Sequence, residues 1–597
     1  MPKLVFPQLN LNGDDFLSKH GYSARVEMSA GGHSAFSISF SASATETYAG
    51  ALMENAIEFI GKRMSIRLDA DAMEYTGLVT SIDLQKGTGA AGTLIISGHG
   101  PSVLLANSVQ CLSYGEGTPL SYVAKSILEG HSSEILKPLM GAGNDIVLPY
   151  TVQYNESDLN FLQRLCRRYG LWLYHNGREF CIGRKGNKKI PAIYGTDVTA
   201  FNLSTNLRSK GPHVSGRDWV LDDLFETPSS SFRPKSYHPY FNQVKRESDF
   251  VFTKNGIYDY STGQDGYSHQ RDMDTANEVT VLGGSTGMVA ATGVSEISNL
   301  RVADILSLEG LDFTDPTKKH SFGNYDIVKI IHSFDHSGQY QNHFEAIPAD
   351  SPHPPYSNGF ESSFCPDQRG RVLDNTDPEG LGRVKVQFEW QRGISTSTPW
   401  IKTSIPYAGN GRGFYFVPEK GEEVLVGFEG GNPEKPYVIG SGFNAKAKSG
   451  FADDRNNIKA IRTRSGNTIE LNDTDGGEMI TINDKAGNSI HINSAEGKMV
   501  FTSQGDMEFN AKNLRFNVQE NMEVEVGNDM REAIKGKSET TAKITEENIS
   551  ESKKISVGQT LEQVSGDLVM QTSKGKMLLE GQGKVSLQSA TKVSYGK

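Results

Sequence analysis

Leu514-Arg515-Phe516-Asn517-Val518 and Met522-Glu523-Val524-Glu525-Val526 set apolar side chains at every second position, the period of a strand with one face buried. Met507 and Phe509 start the same pattern upstream. The runs are short and broken by Gly and Asn, and they lie in a stretch, 458–597, with no adjoining helical sequence to cover an apolar face. A β-segment this long and thin needs identical neighbours to bury its stripe. The pattern therefore reads as an oligomeric β-spike with Leu514, Phe516, Val518, Met522, Val524 and Val526 on its inner face, and with a mechanical role.

Earlier in that stretch, Gly466-Asn467-Thr468-Ile469-Glu470-Leu471-Asn472 recurs as Gly487-Asn488-Ser489-Ile490-His491-Ile492-Asn493, an imperfect internal repeat. Between Asp529 and Ile555 the stripe thins to Ile534, Ile544, Ile549 and Ile555 among Lys, Glu, Ser and Thr. That segment reads as a floppy or helical insert or, preferably, as continued β-prism. Val557, Val564, Leu568, Met570, Val585 and Leu587 restore the pattern.

A polar linker, 445–457, precedes the spike. Before it, residues 364–444 show clean alternation at Val384, Val386 and Phe388 and at Val424 and Val426. Turn sequences at Asp377-Pro378-Glu379-Gly380, Ala408-Gly409-Asn410-Gly411 and Gly430-Gly431-Asn432-Pro433 divide the unit into about five strands, which suits a small closed barrel of the OB type. Prolines at 348, 352, 354 and 355 open a linker, 351–363, that separates this unit from residues 1–350.

In that first part, Met64–Leu68 and Thr93–Ser97 read as strands, and Pro119–Leu128 as a short helix capped by Thr118. The clearest helix has Asn155 as N-cap, Glu156 and Asp158 in its first turn, and Leu162, Leu165, Cys166 and Tyr169 on one face before Gly170. Residues 176–350 read as strands and loops. The fold class is thus mainly β with short helices.

The net charge of −11 and the lack of a basic patch with interleaved aromatics set nucleic acid aside. Four cysteines without a CxxC point to a reduced compartment. Met1-Pro2-Lys3-Leu4-Val5-Phe6 lacks the apolar core of a signal peptide, and no apolar run reaches the roughly 18 residues of a membrane span. The expectation is a protein made in the cytoplasm that leaves, if it leaves, without a cleavable signal.

Motifs that could carry chemistry read better as structure. Gly87-Thr88-Gly89-Ala90-Ala91-Gly92 matches a dinucleotide fingerprint but runs into a strand instead of a helix, so a glycine hairpin is expected. Gly283-Gly284-Ser285-Thr286-Gly287 matches a nucleophile elbow after a strand-like Val279-Thr280-Val281, yet Gly293 and strand-like sequence follow, so a loop is expected. His332, His336 and His343 lie in alternating sequence, where i,i+4 spacing does not gather ligands, and His491 stands alone. Asp473-Thr474-Asp475-Gly476 starts like a calcium loop and fails at Gly477, leaving a β-turn. No catalytic residue, metal or cofactor is expected.

Two blocks of residues carry a family resemblance. Gln153-Tyr154-Asn155-Glu156-Ser157-Asp158-Leu159-Asn160-Phe161-Leu162-Gln163-Arg164-Leu165, then Gly170 and aromatics, resembles the hallmark segment of VgrG proteins, the type VI secretion spike. Tyr340–Pro348 is similar to the end of that family's first module. Gly382–Phe388, Trp400-Ile401, Pro418, Gly421, Glu423–Phe428, Asn432-Pro433, Pro436 and Gly440 resemble its middle domain. The resemblance implies a homotrimer, with two β-barrel modules in residues 1–350 forming a hub on the Hcp tube. It also implies an OB-like neck and a triangular β-prism, an intertwined trimeric β-helix, over 458–597. A PAAR-repeat protein would cap the tip through Lys592, Val593, Ser594 and Tyr595. Effectors, adaptors and baseplate components would be partners, and contact with a target membrane would be transient. Related alternatives are the hub of a phage tail or another contractile injection system. A peptidoglycan-degrading spike enzyme is the rival of a different class, but the 445–457 linker is too short to hold its catalytic domain. A trimeric adhesin would need a signal and an anchor that the sequence does not show.

Overall fold

The computed structural model describes residues 4–594 except 19, 44–55, 69–72, 87–91, 142–144, 184, 219, 262–268, 312–314 and 316–317. The described chain is mainly β and divides into two compact units, 1–460 and 461–597. None of its described helices is long and apolar enough to cross a membrane.

Thirteen strands between Gln8 and Pro348 share one hydrogen-bonded sheet. Its seam is Tyr22–Ser29, paired antiparallel with Ala35–Ser41 on one side and with Lys319–Phe334 on the other. Ala35–Ser41 shows why these segments are strands: Phe36, Ile38 and Phe40 turn inward while the serines between them turn out. The two expected barrel modules are therefore halves of a continuous sheet, and a single core joins Met64, Ile66 and Ile96 with Ile330, Phe344 and Leu306. Gly98 is needed where strands crowd, since a Cβ there would stand 2.0 Å from the Leu78 carbonyl oxygen. The strands Glu74–Gln85 and Thr93–His99 pair as a hairpin. The glycine motif at Gly87–Ala91 lies outside the described residues.

A second core, with Val123, Ile127, Leu162, Leu165 and Phe180, packs around helices α1 (Leu120–Leu128) and α2 (Asp158–Arg168). Both expected caps shift. Pro119, with extended φ and ψ, is the residue before α1, and the Thr118 hydroxyl donates to the Gly115 carbonyl instead of capping it. The N-cap of α2 is Ser157, whose hydroxyl accepts from the Asn160 N–H at 3.2 Å. Asn155 stays in the preceding strand at φ 48°, at a bulge between Tyr154 and Glu156. Gly170 does end the helix, at φ 63°.

Two helices occupy sequence expected to be strands and loops, α3 (Phe241–Val251) and α4 (His269–Ser285). Val279-Thr280-Val281 lies inside α4. Its β-branched residues are overruled because Met273, Ala276 and Val279 recur on one helical face and are all buried, while the Thr280 hydroxyl returns to the Ala276 carbonyl at 2.8 Å. The expected loop at Gly283–Gly287 is thus the last turn of α4 followed by a 3₁₀ turn, and the Ser285 hydroxyl donates to the Leu282 carbonyl at 2.7 Å.

Residues 368–441 form the small barrel. Four strands lie in the order Lys385–Phe388, Gln368–Asp374, Glu423–Phe428, Pro436–Ser441. The segment 401–404 closes the ring. Ile401 exchanges backbone hydrogen bonds with Val384, and Val438 bonds Lys402 and Ser404 at 2.9 and 2.7 Å. Val372, Val384, Val386, Ile401, Val424, Val426 and Val438 fill it. Asp377 pins the turn between the first two strands in sequence. It accepts from Arg383 Nη2 at 2.8 Å and Nε at 3.1 Å and from the N–H groups of Glu379, Leu381 and Arg383. Burial opposes ionisation of this carboxyl, but Arg383 and the backbone donors hold it at about 2 against an ordinary 3.8. A folded-state value below the unfolded one means stability that is present above about pH 4 and lost as pH falls through 2. Thermal melts of the full chain are expected to drop over that window, and Asp377→Asn to flatten the drop while lowering the melt at neutral pH. An unchanged slope in the variant would remove Asp377 as its source.

The second unit departs from expectation at its start. The strands from Thr468 to Thr502 pair antiparallel with their sequence neighbours in one chain, so they form a meander and not strands that each pair with a different chain. The repeat marks its period, with Gly466 at φ 96° and Gly487 at φ 91° entering Thr468–Asn472 and Ser489–Asn493. Asp473–Gly476 is a tight turn in this meander, with the Gly477 N–H on the Thr474 carbonyl. From 503 to 594 no described residue is in a strand or helix, so Asp529–Ile555 contains no helical insert.

Candidate functional site

Two features of this chain are built for assembly. The first is the joint between the large sheet module and the small barrel. Arg164 projects from α2 on the side away from Leu162 and Cys166, and it is almost wholly buried. Its guanidinium grips Glu156 with Nε at 2.9 Å and Nη2 at 2.8 Å, donates to the Val152 carbonyl at 2.7 Å, and reaches Glu434 of the barrel at 3.1 Å. One turn on, Arg168 holds the other Glu434 oxygen at 2.7 Å. Burial works against the Glu434 charge, yet Arg168 and Arg164 outweigh it and keep the carboxyl below its ordinary range. Two arginines clamping one carboxylate in a dry interface are strong, directional hydrogen bonds.

Polar and aromatic contacts extend the joint. The Gln391 amide donates to the Ser113 hydroxyl at 2.9 Å and to Tyr150 at 3.1 Å, and Thr396 meets Ser113 at 2.8 Å. Arg167 pairs with Glu361 at 2.9 Å, and Tyr258 stacks on Phe360 with ring centres 4.0 Å apart. Module and barrel are thus joined by buried, geometrically specific bonds.

The second feature is an uncovered apolar face. In the meander, Ile469 lies opposite Ile482, Leu471 opposite Ile480, Ile490 opposite Phe501 and Ile492 opposite Met499. This register collects Ile469, Leu471, Ile480, Ile482, Ile490, Ile492, Met499 and Phe501 on one side of a single layer. Phe501 remains 56% and Met499 55% exposed. The other side is mostly polar, with Thr481, His491 and Asn493 beside Met479 and Val500, and with Thr481 Oγ1 3.2 Å from His491 Nδ1. Beyond it, Leu514, Phe516, Val518, Met522, Val524 and Val526 are all exposed within one chain, from 46% at Val526 to 66% at Phe516. Among the described residues 503–594, no backbone–backbone hydrogen bond is made within the chain. Apolar side chains and a backbone without ladder partners are both features that other strands satisfy.

Lys592, Val593 and Ser594 are exposed at the end of the described chain, and Tyr595 lies outside it. The histidines considered as ligands are dispersed. His332 is buried, with Nδ1 2.6 Å from the Tyr340 hydroxyl and an imidazole that burial pushes down to about 3, whereas His336 and His343 face outward. The joint itself escaped the sequence reading. Arg164 and Arg168 are spaced i,i+4 and could have been noticed as a cationic pair on one side of the helix. Their partner, 266 residues away from Arg168, carries no local signal.

Comparison with known proteins agrees with this architecture. Residues 36–318 match the phage tail baseplate hub family, and residues 368–443 match the type VI secretion system/phage-baseplate injector OB domain. The two matched segments are the sheet module and the barrel that Arg164, Arg168 and Glu434 lock together. The chain's curated relatives are VgrG proteins, the spike proteins of type VI secretion systems, to which it is similar. It is 24% identical over 388 residues to the type VI secretion system spike protein VgrG4b of Pseudomonas aeruginosa, covering 56% of this chain and 45% of that protein. It is also 24% identical over 370 residues to the actin cross-linking toxin VgrG1 of Vibrio cholerae, covering 55% of this chain and 32% of the toxin. The chain spans about half the length of the curated relatives it matches. Among solved structures, the Francisella PdpA–VgrG complex in its lidded form shares the fold with TM-score 0.53 at 10% identity, over 83% of this chain and 80% of that one.

Proposed function

We propose that the chain is a non-enzymatic homotrimeric spike of a type VI secretion system, seated on the Hcp tube and tipped by a PAAR-repeat protein. It assembles in the cytoplasm and leaves through the apparatus itself, crosses a target membrane and carries effectors as separate proteins. The observation that carries this reading is the tail, where Leu514, Phe516, Val518, Met522, Val524 and Val526 alternate with polar residues and yet stay exposed in one chain. Three copies wound as a prism would turn Phe516 and its neighbours onto the axis and pair each backbone with another chain. Separating them would require breaking all three chains apart together, which makes unfolding slow, as a puncturing tip requires. The sheath supplies the work. That a VgrG of Francisella has been solved in complex with PdpA supports the assignment of protein partners.

A phage-tail or other contractile hub is the nearest second reading, favoured by the hub-family match over 36–318. Against a peptidoglycan-degrading spike stands the short linker, 445–457, which leaves no room for an enzyme between barrel and tail.

Electron microscopy of the purified full chain tests the proposal. A threefold club with a thin needle is expected, and a compact monomer would end it. At the tip, Val593→Asp is expected to leave the oligomer intact and to abolish co-purification with the cognate PAAR-repeat protein. Undiminished capture would move the docking site elsewhere.

A further inference from the structure

A cavity of about 710 Å³ opens between α3, the C-terminal half of α4 and the loops 208–212 and 229–234. Its volume falls in the range of roughly 300–1,000 Å³ typical of ligand sites. Four cations line it, Arg208, Lys210, Arg233 and Lys245, against one carboxylate, Asp249, which is already bound to Lys245 at 2.6 Å. In a chain of net charge −11 this is a local inversion of sign.

The structure accounts for two of these cations. Lys245 has Asp249 four residues on, along α3. Arg208 lies across the end of α4, where the helix dipole favours a cation. It is so close that a Cβ at Gly287 would stand 2.7 Å from Nη2. Lys210 and Arg233 are exposed and make no ion pair among the described residues. Below them the wall is apolar, with Val281 and Met288.

We propose that this cavity binds an acidic peptide segment of a partner protein, its carboxylates on Lys210 and Arg233 and an apolar side chain against Val281 and Met288. A free phosphate would leave most of the volume and the apolar wall unused. Charges on the rim steer and select such a segment, and apolar burial retains it. The cavity lies within one chain, so its occupancy can fail without touching the trimeric spike reading, and the reverse.

The test is fluorescence anisotropy of the full chain with a short labelled peptide of alternating glutamate and leucine. Saturable binding is expected, weakened by high salt and weakened roughly tenfold or more by Lys210→Ala combined with Arg233→Ala. Arg246→Ala, at an exposed site on α3 that does not line the cavity, is expected to leave it unchanged. Absent binding, or binding indifferent to the double variant, would overturn the proposal. So would displacement of the peptide by inorganic pyrophosphate at equal affinity, which would define a small-anion site. Protection of residues 229–234 from hydroxyl radicals in the peptide-free assembly would show that a neighbouring copy fills the cavity, and would also overturn it. Should the double variant not fold, a lysine–leucine peptide serves on the unaltered chain, and equal binding of the two peptides would count against the proposal.

Discussion

Phe516→Asp is expected to leave the protein as single 65.3 kDa chains in solution instead of the proposed trimer. In one chain the Phe516 side chain is 66% exposed, so the substitution buries no charge within that chain. In a prism the same position faces the axis, and symmetry places three carboxylates together away from water. An uncompensated buried charge costs roughly 3–5 kcal/mol, and like charges close together add to that. The loss recurs in every copy, which no local rearrangement of a single chain can relieve. Size-exclusion chromatography with light scattering reads the outcome directly. A trimer of undiminished mass would take Phe516 off the axis. Glu520→Lys, four residues on and between the two apolar runs, is expected to leave the assembly unchanged.

Glu434→Ala is expected to loosen the joint between the sheet module and the barrel and to lower stability by roughly 3–5 kcal/mol, because it leaves Arg164 and Arg168 buried without their shared carboxylate. Glu156 still satisfies part of Arg164, so Arg168 bears most of the loss. Denaturant titration measures the size of the effect, and hydrogen exchange locates it. Faster exchange is expected in α2 and in the strand Pro436–Ser441, with the tail unaltered. Removing the exposed pair partner in Arg246→Ala provides the scale, since such surface pairs contribute about 0–1 kcal/mol. A Glu434→Ala chain as stable as Arg246→Ala would show that the cluster does not hold the joint.

The contrast between these two sites reflects how much of each was legible in the sequence. Period-two alternation at Leu514, Phe516 and Val518 announces an inward face without reference to the rest of the chain, because a strand's side chains alternate by geometry alone. The same logic made Val384, Val386 and Phe388 readable as one wall of a barrel. It failed at Val279-Thr280-Val281, where β-branched residues suggested a strand. Burial of Met273, Ala276 and Val279 on one face outweighed propensity worth only tenths of a kcal/mol per residue. It also misplaced the start of α2. Asn155 and Ser157 are both capping residues, and the choice went to Ser157 because the strand pairing with Val109–Tyr114 runs through Ser157.

Glu434 belongs to a different order of information. Its neighbours Asn432 and Pro433 mark a turn, and nothing nearby says that its carboxylate meets arginines from a helix hundreds of residues earlier. The family resemblance named both segments but not their contact. By itself the sequence determined the mainly β class, the barrel's strands, the helix around Leu162 and Leu165, and the uncovered stripe of the tail, because each is written in spacings shorter than one element. Only the tertiary structure decided that the two expected barrels share one sheet through Tyr22–Ser29, that the tail begins as a meander within one chain, and that Arg164, Arg168 and Glu434 lock module to barrel. Those outcomes depend on which surfaces meet. A meeting of distant surfaces is settled by burial and charge over the whole fold and leaves no period in the chain.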